Sequence, residues 1–257
     1  MRRAIDRSCS ERLGRGNVNK PTLRCLRVDA WGGTNDKLEL SQTYPGAIVW
    51  SYSRFETIAD LTVHVIGLCF GFLAASVLLA FAAAYAATVH LVAASIYAAG
   101  LVSMLTFSAA YNLWPVSPMK WLLRRFDHSA IYVLIAATYT PFVLALKNGA
   151  LAVSILIGVW STATVGIAAK LVLPGRFDRF SIGVYLVMGW SAIAFCNGDS
   201  AIPTTAVRFM VAGGALFTIG VIFHIWQNLR FQNAIWHCFV LLGIVCHYTA
   251  VFNLVLN

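Results

Sequence analysis

The chain has 257 residues, of which 59% are hydrophobic and 11% charged, and it carries a formal net charge of +9. Soluble domains hold about a quarter charged residues, so this composition excludes a soluble globular protein and points to one that crosses a bilayer several times. The excess of positive charge does not indicate a nucleic-acid partner, because the Lys and Arg residues lie in the N-terminal segment and in the loops between long apolar runs, nearly all on one side of the membrane.

Residues 1–55 are rich in Arg, Gly, Asn, Ser and Asp and have few periodic apolar positions, and we read them as a basic, disordered cytoplasmic arm. The first stretch, MRRAIDRSCSERLGRG, lacks the apolar segment of a secretory signal. Residues 56–257 are the membrane domain. Seven apolar runs follow one another there, at about 57–83, 88–113, 129–147, 150–171, 181–198, 205–227 and 233–254. Each approaches the roughly 20 residues needed to span a bilayer, so the predicted fold is all-α, a bundle of seven transmembrane helices. Of the 19 Lys and Arg residues, only Lys147 and Arg208 fall in the loops on one side. By the positive-inside rule the N-terminus is cytoplasmic and the C-terminus lies across the membrane, as an odd number of spans requires. The expected location is the plasma membrane, the inner membrane in a bacterium, as a multi-pass protein.

The first run opens with Glu56, Asp60 and His64, spaced by four and therefore along one helical stripe. Carboxylates in a first turn suit the helix dipole, which is one account of Glu56 and Asp60. His64, about two turns in, is expected to face the bundle interior, either as a structural hydrogen-bonding group or as part of a site. The second run ends with Ser108, Tyr111 and Asn112. Ser108 and Asn112 share a face, and Trp114 and Pro115 mark the interface and the stop. The third is expected to start at Asp127, His128 and Ser129, where Asp127 has the chemistry of an N-cap as well as that of a site residue.

The later runs read mainly as packing. Thr138, Tyr139, Thr140 and Pro141 suggest a bend whose freed backbone is satisfied by hydroxyls, and Gly213, Gly214 and Gly220 permit close helix contacts. His90 and His247 are expected to be structural. His224 falls at the cytoplasmic end of the sixth run. In the last, Asn233 and His237 lie four apart on one face. Asn112, Asp127, His224, Asn233 and His237 thus gather at one depth, and polar groups inside a span need partners. The six Cys residues show no paired metal spacing and are read as reduced thiols.

TIADLTVHVIG, SAAYNLWP, FDHSAIYVLIAATYTPF, YLVMGW, GGALFTIG and NAIWHCFVLLGIVCHY resemble, in the same order, the motifs of the hemolysin III proteins. These are the bacterial branch of the progestin and adipoQ receptor family. The resemblance covers Glu56 to the end of the chain and implies seven transmembrane helices. It also implies a zinc ion near the cytoplasmic face, held by one His after a Ser-x-x-x pattern and two His four apart on the last helix, with an Asp nearby. Mapped onto this chain, the zinc positions are Asn112, Asn233 and His237, with Ser108 and Asp127 beside them. Two of the three imidazoles are therefore replaced by Asn. Zinc prefers imidazole or thiolate, so both exchanges weaken binding, and His224, His64 and Asp127 are the candidate substitutes.

The resemblance implies ceramidase-like chemistry, a metal-dependent hydrolysis of a lipid amide or ester with Asp127 and Ser108 in catalytic roles. The alternative is a non-catalytic sensor or membrane-homeostasis protein whose former metal layer is a hydrogen-bonded network. Pore formation ranks last, because no stripe of charge runs through the spans. Membrane lipids are the expected partners.

Overall fold

A computed structural model describes residues 53–173, 175, 177–192, 202–226 and 228–256. They form seven helices: α1 Arg54–Tyr85, α2 Thr88–Leu113, α3 Pro118–Leu144, α4 Gly149–Val172, α5 Asp178–Ser191, α6 Thr204–Ile225 and α7 Gln232–Leu256. The expected basic arm falls outside the described residues except at its last positions, and so does the end of the fifth apolar run.

The helix boundaries follow from local chemistry. Ser53 and Glu56 form a capping box at the start of α1, in which each side chain bonds the other's backbone N–H. Ala86 and Ala87, both extended, separate α1 from α2 without any glycine or proline. The side chain of Asn148 accepts from Leu151 N at the start of α4.

α3 begins at Pro118, in the favoured first position, and not near Asp127 as the apolar pattern suggested. Asp127 is consequently no N-cap; it lies more than two turns inside the helix. The additional turns contain Lys120, Trp121 and Arg124, all buried. Lys120 Nζ donates to the carbonyls of Asn112 (3.1 Å) and Trp114 (2.8 Å) and so closes the C-terminus of α2. Arg124 donates to the Asp178 carboxylate. These charges have partners inside the fold, which is why a polar stretch can be a packed helix. Pro141 sits within α3 without ending it. In the preceding turns Thr138 and Thr140 bond the carbonyls of Leu134 and Ala136.

α1, α2, α4, α6 and α7 are each long and apolar enough to cross a membrane, and the chain is a multi-pass integral membrane protein. α3 is not among these five. α5, with 14 residues, reaches about 21 Å at 1.5 Å per residue, short of the roughly 30 Å hydrocarbon core.

α2 packs between α1 and α3, and α4 lies along α3. α7 packs on α6 and α1 and also reaches α2 and α3, while α5 touches α3 and α6. Because both interior and exterior are apolar, burial sorts side chains by size instead of by polarity. Ala74, Ala75, Ala82, Ala93, Ala94 and Ala98 are buried, whereas Phe72, Leu73, Val165 and Val187 are exposed to the surroundings. The antiparallel order of the helices brings the start of α1, the end of α2, the early turns of α3 and the start of α7 to one end of the bundle, where the contacts described below join them.

Glycine marks the closest approach of α2 to α3. A Cβ at Gly100 would lie 2.7 Å from the Ala137 Cβ, which cannot rotate away, while a Cβ at Gly158 meets nothing within 4 Å. Gly100→Val is therefore expected to destabilise the detergent-solubilised protein by about 1–3 kcal/mol, the usual range for overpacking. Gly158→Ala should leave its thermal unfolding midpoint unchanged. Equal midpoints for the two variants would contradict the α2–α3 contact.

Candidate metal centre

The site forms at this end of the bundle, and the residue at its middle is Asp60, in the second turn of α1 and buried. Its carboxylate receives two side chains of α7. His237 Nδ1 lies 3.0 Å from Oδ1, and Asn233 Nδ2 donates to Oδ2 at 2.9 Å. His64, one turn further along α1, lies with Nδ1 2.7 Å from the Asp60 carbonyl and 3.5 Å from Oδ1. The His64 and His237 rings meet edge to face with centroids 4.3 Å apart.

α2 closes the other side. Asn233 Nδ2 also donates to Asn112 Oδ1 at 3.1 Å. Asn112 Nδ2 donates to the Ser108 carbonyl at 2.9 Å and faces His237 Nε2 at 3.5 Å. Ser108 Oγ lies 3.4 Å from His64 Nε2, and Asp127 of α3, buried, stands beside Ser108. One polar layer thus runs from Ser108 through His64 to Asp60, and from there to His237, Asn233 and Asn112, with Asp127 next to its Ser108 end.

The loop before α7 is held to α1 as well. Phe231 has φ 59°, an unusual backbone angle for a residue with a side chain, and its N–H donates to Glu56 Oε1 at 3.1 Å. Glu56 therefore caps α1 and seats the start of α7, which places Asn233 and His237 opposite Asp60.

Asp60, His64 and His237 form a group that can hold a metal ion, with one ligand atom from each lying within 4.8 Å of the others. Carboxylate and imidazole are ordinary zinc donors. The ligand positions implied by the hemolysin III resemblance fit zinc poorly. At Asn112 and Asn233 the amide hydrogens are directed at neighbouring acceptors, and these side chains have no basic lone pair to offer. Among the described residues the structure thus brings Ser108, Asn112, Asp127, Asn233 and His237 into one layer, and it places the metal-capable group partly on α1.

His224 lies outside that group. Its ring rests on Trp236 with centroids 4.9 Å apart, its Nδ1 is buried without a hydrogen bond, and its carbonyl accepts from Gln232 Nε2. His247 is structural. It covers Gly213, where an added Cβ would collide with its ring, and its Nε2 lies 3.3 Å from the Met210 carbonyl.

Sequence reasoning assigned no central role to Asp60, since the helix dipole already gave an account of it. The available signal was its spacing of four from His64, which puts an acid and an imidazole on one buried stripe. A second ionic group ties the short α5 to its neighbours. Asp178, the first residue of α5, receives Arg124 of α3 and Lys170 of α4 (2.7 Å), with His128 Nδ1 at 3.6 Å.

The Haemolysin-III related family profile matches residues 54–248. The chain is 38% identical over 189 residues to the Hemolysin-3 homolog of Bacillus subtilis (strain 168), covering 73% of this chain and 89% of the relative. It is 34% identical to Hemolysin-3 of Bacillus cereus, covering 73% and 86%. With the human Monocyte to macrophage differentiation factor it shares 27% identity over 168 residues, 63% of this chain and 70% of that protein. No solved structure matches the chain. The order of motifs, the helical membrane fold and these relatives agree: the chain belongs to the haemolysin III family, a branch of the progestin and adipoQ receptor family.

Proposed function

We propose that this protein is a membrane-embedded, metal-dependent hydrolase that cleaves an amide or ester bond of a lipid, with zinc held at the Asp60, His64 and His237 group. The observation that carries the reading is the gathering of buried Asp60, buried His64 and half-buried His237 beside Ser108 and a second buried carboxylate, Asp127. When bound, zinc supplies Lewis acidity, which polarises a carbonyl and makes water nucleophilic near neutral pH.

The remaining roles belong to the chain. Asp127 takes the proton of the attacking water and returns it to the leaving amine or alcohol. Ser108, whose hydroxyl stands between Asp127 and His64, holds that carboxyl in place. The lipid is drawn from the leaflet at the Lys- and Arg-rich end of the bundle, which the positive-inside rule assigns to the cytoplasm.

A second reading is favoured by a specific observation. Both amide hydrogens of Asn233, and those of Asn112, are used within the layer, so the network closes on itself without an ion. On that reading the protein is a non-catalytic sensor or homeostasis protein.

Elemental analysis of the protein, purified without chelators, separates the two. The hydrolase reading expects about one zinc per chain, lost in His64→Ala and in His237→Ala. It also expects lipid-amide or lipid-ester turnover that falls by about 10²–10⁴ in Asp127→Asn, the usual contribution of a general base. Asn112→His combined with Asn233→His should raise zinc affinity by restoring imidazole at both positions. A folded wild-type protein without zinc or turnover would establish the network reading instead.

A further inference from the structure

Both imidazoles of the site are held by one residue, through the same ring nitrogen. His64 Nδ1 lies 2.7 Å from the Asp60 carbonyl oxygen. A carbonyl can only accept, so this nitrogen carries the proton. His237 Nδ1 lies 3.0 Å from Asp60 Oδ1, and its other nitrogen, Nε2, faces Asn112 Nδ2. An amide nitrogen can only donate, so His237 Nε2 is the acceptor and Nδ1 the donor.

The amide orientations on which this depends are fixed by their neighbours. Asn112 Nδ2 sits on the Ser108 carbonyl, and reversing the amide would set two acceptors against each other. Asn233 Nδ2 lies between Asp60 Oδ2 and Asn112 Oδ1, both acceptors. For His64 the second nitrogen, Nε2, faces the Ser108 hydroxyl at 3.4 Å, a group able to donate to it.

We propose that Asp60 is a positioning residue that locks His64 and His237 as Nδ1–H tautomers, turning both Nε2 lone pairs toward Ser108 and Asn112 of α2. A divalent cation entering the site is received by those two Nε2 atoms, with Asp60 behind the rings as their common anchor. The tautomer assignment stands without any metal. The cation half rests on the metal reading given above and narrows it: the two imidazoles are the ligands, and Asp60 holds them from behind.

This arrangement explains why a carboxylate lies beside two rings whose Nδ1 hydrogens it and its own carbonyl absorb. A carboxylate or carbonyl on the far nitrogen orients a metal-ligating imidazole and raises its basicity, and losing such a partner lowers metal affinity by about 10–100-fold. The two anchors are also separable by mutation. Asp60→Ala removes the anchor of His237 but keeps the backbone carbonyl that anchors His64, and Asp60→Asn keeps an oxygen acceptor for His237.

The test is nitrogen NMR of the full chain, with 15N-labelled histidine, in lipid nanodiscs after chelator treatment. His64→Gln and His237→Gln assign the signals. Both rings are expected as Nδ1–H tautomers in the wild type. In Asp60→Ala the His237 Nδ1 signal should shift as its acceptor is lost, and with Asn112→Ala added the ring should move toward the Nε2–H form, while His64 keeps its state; Asp60→Asn should retain the wild-type pattern. Addition of zinc ion should shift both Nε2 resonances and leave the Nδ1 hydrogens in place, with affinity about 10–100-fold weaker in Asp60→Ala.

An Nε2–H form of either ring in the wild type would overturn the positioning role. Loss of an Nδ1 hydrogen on zinc addition would make Asp60 and Nδ1 the direct ligands and overturn the assignment of Nε2. No response to zinc, with both tautomers as stated, would overturn the cation half and the metal reading together while upholding the anchor.

Discussion

A carboxylate inside a helix bundle is tolerated only when its oxygens are supplied with donors, and the position of Asp60 makes this the governing constraint of the site. Its donors come from α7, through Asn233 and His237, while its own carbonyl and Oδ1 steady His64 on α1. The requirement fixes the relative height of the first and last helices. It also fixes their rotation, because Asn233 and His237 face Asp60 only when that face of α7 is turned toward α1. α2 is then drawn in through Asn112 and Ser108, whose remaining donors and acceptors match what α1 and α7 leave over.

The same rule, one charge and several partners, organises the neighbouring contacts. Asp178 receives Arg124, Lys170 and His128, and this cluster gathers α3, α4 and the start of α5. Glu56 serves Ser53 and Phe231, joining the start of α1 to the loop before α7. Lys120 covers the end of α2. Elsewhere the helices meet through small residues, where polarity gives no sorting and close approach does. The polar end of the bundle therefore specifies register, and the apolar remainder provides packing.

The membrane class and the number and order of helices were legible because apolar runs and motif order are carried by many residues at once. Each of the seven expected runs overlaps one of the seven helices of the described residues, and the α1–α2 boundary falls where expected, although two extended alanines interrupt the helix there with little mark in the sequence. The start of α3 was not legible. Hydropathy scores Lys120 and Arg124 as solvent-seeking, whereas their partners, the end of α2 and Asp178, are far along the chain or in another helix. Asp60 was obscured for a related reason. A carboxylate in a first turn has a sufficient local explanation, and only the three-dimensional meeting of α1 with α7 shows that its acceptors are taken by Asn233 and His237. A common depth was visible for Asn112, Asp127, His224, Asn233 and His237, but which of them meet depends on side-chain direction, which spacing alone does not give: His224 turns to Trp236 instead.

The account turns on Asp60 as the acceptor that joins α7 to α1. A double-mutant cycle on unfolding in lipid or mild detergent, using Asp60→Ala, Asn233→Ala and the pair, measures that link directly. The account predicts that the two losses do not add, with a coupling energy of about 1–3 kcal/mol, as expected for two residues in one hydrogen-bond network. Losses that add to within about 0.5 kcal/mol would mean that Asp60 and Asn233 act independently, and would contradict it.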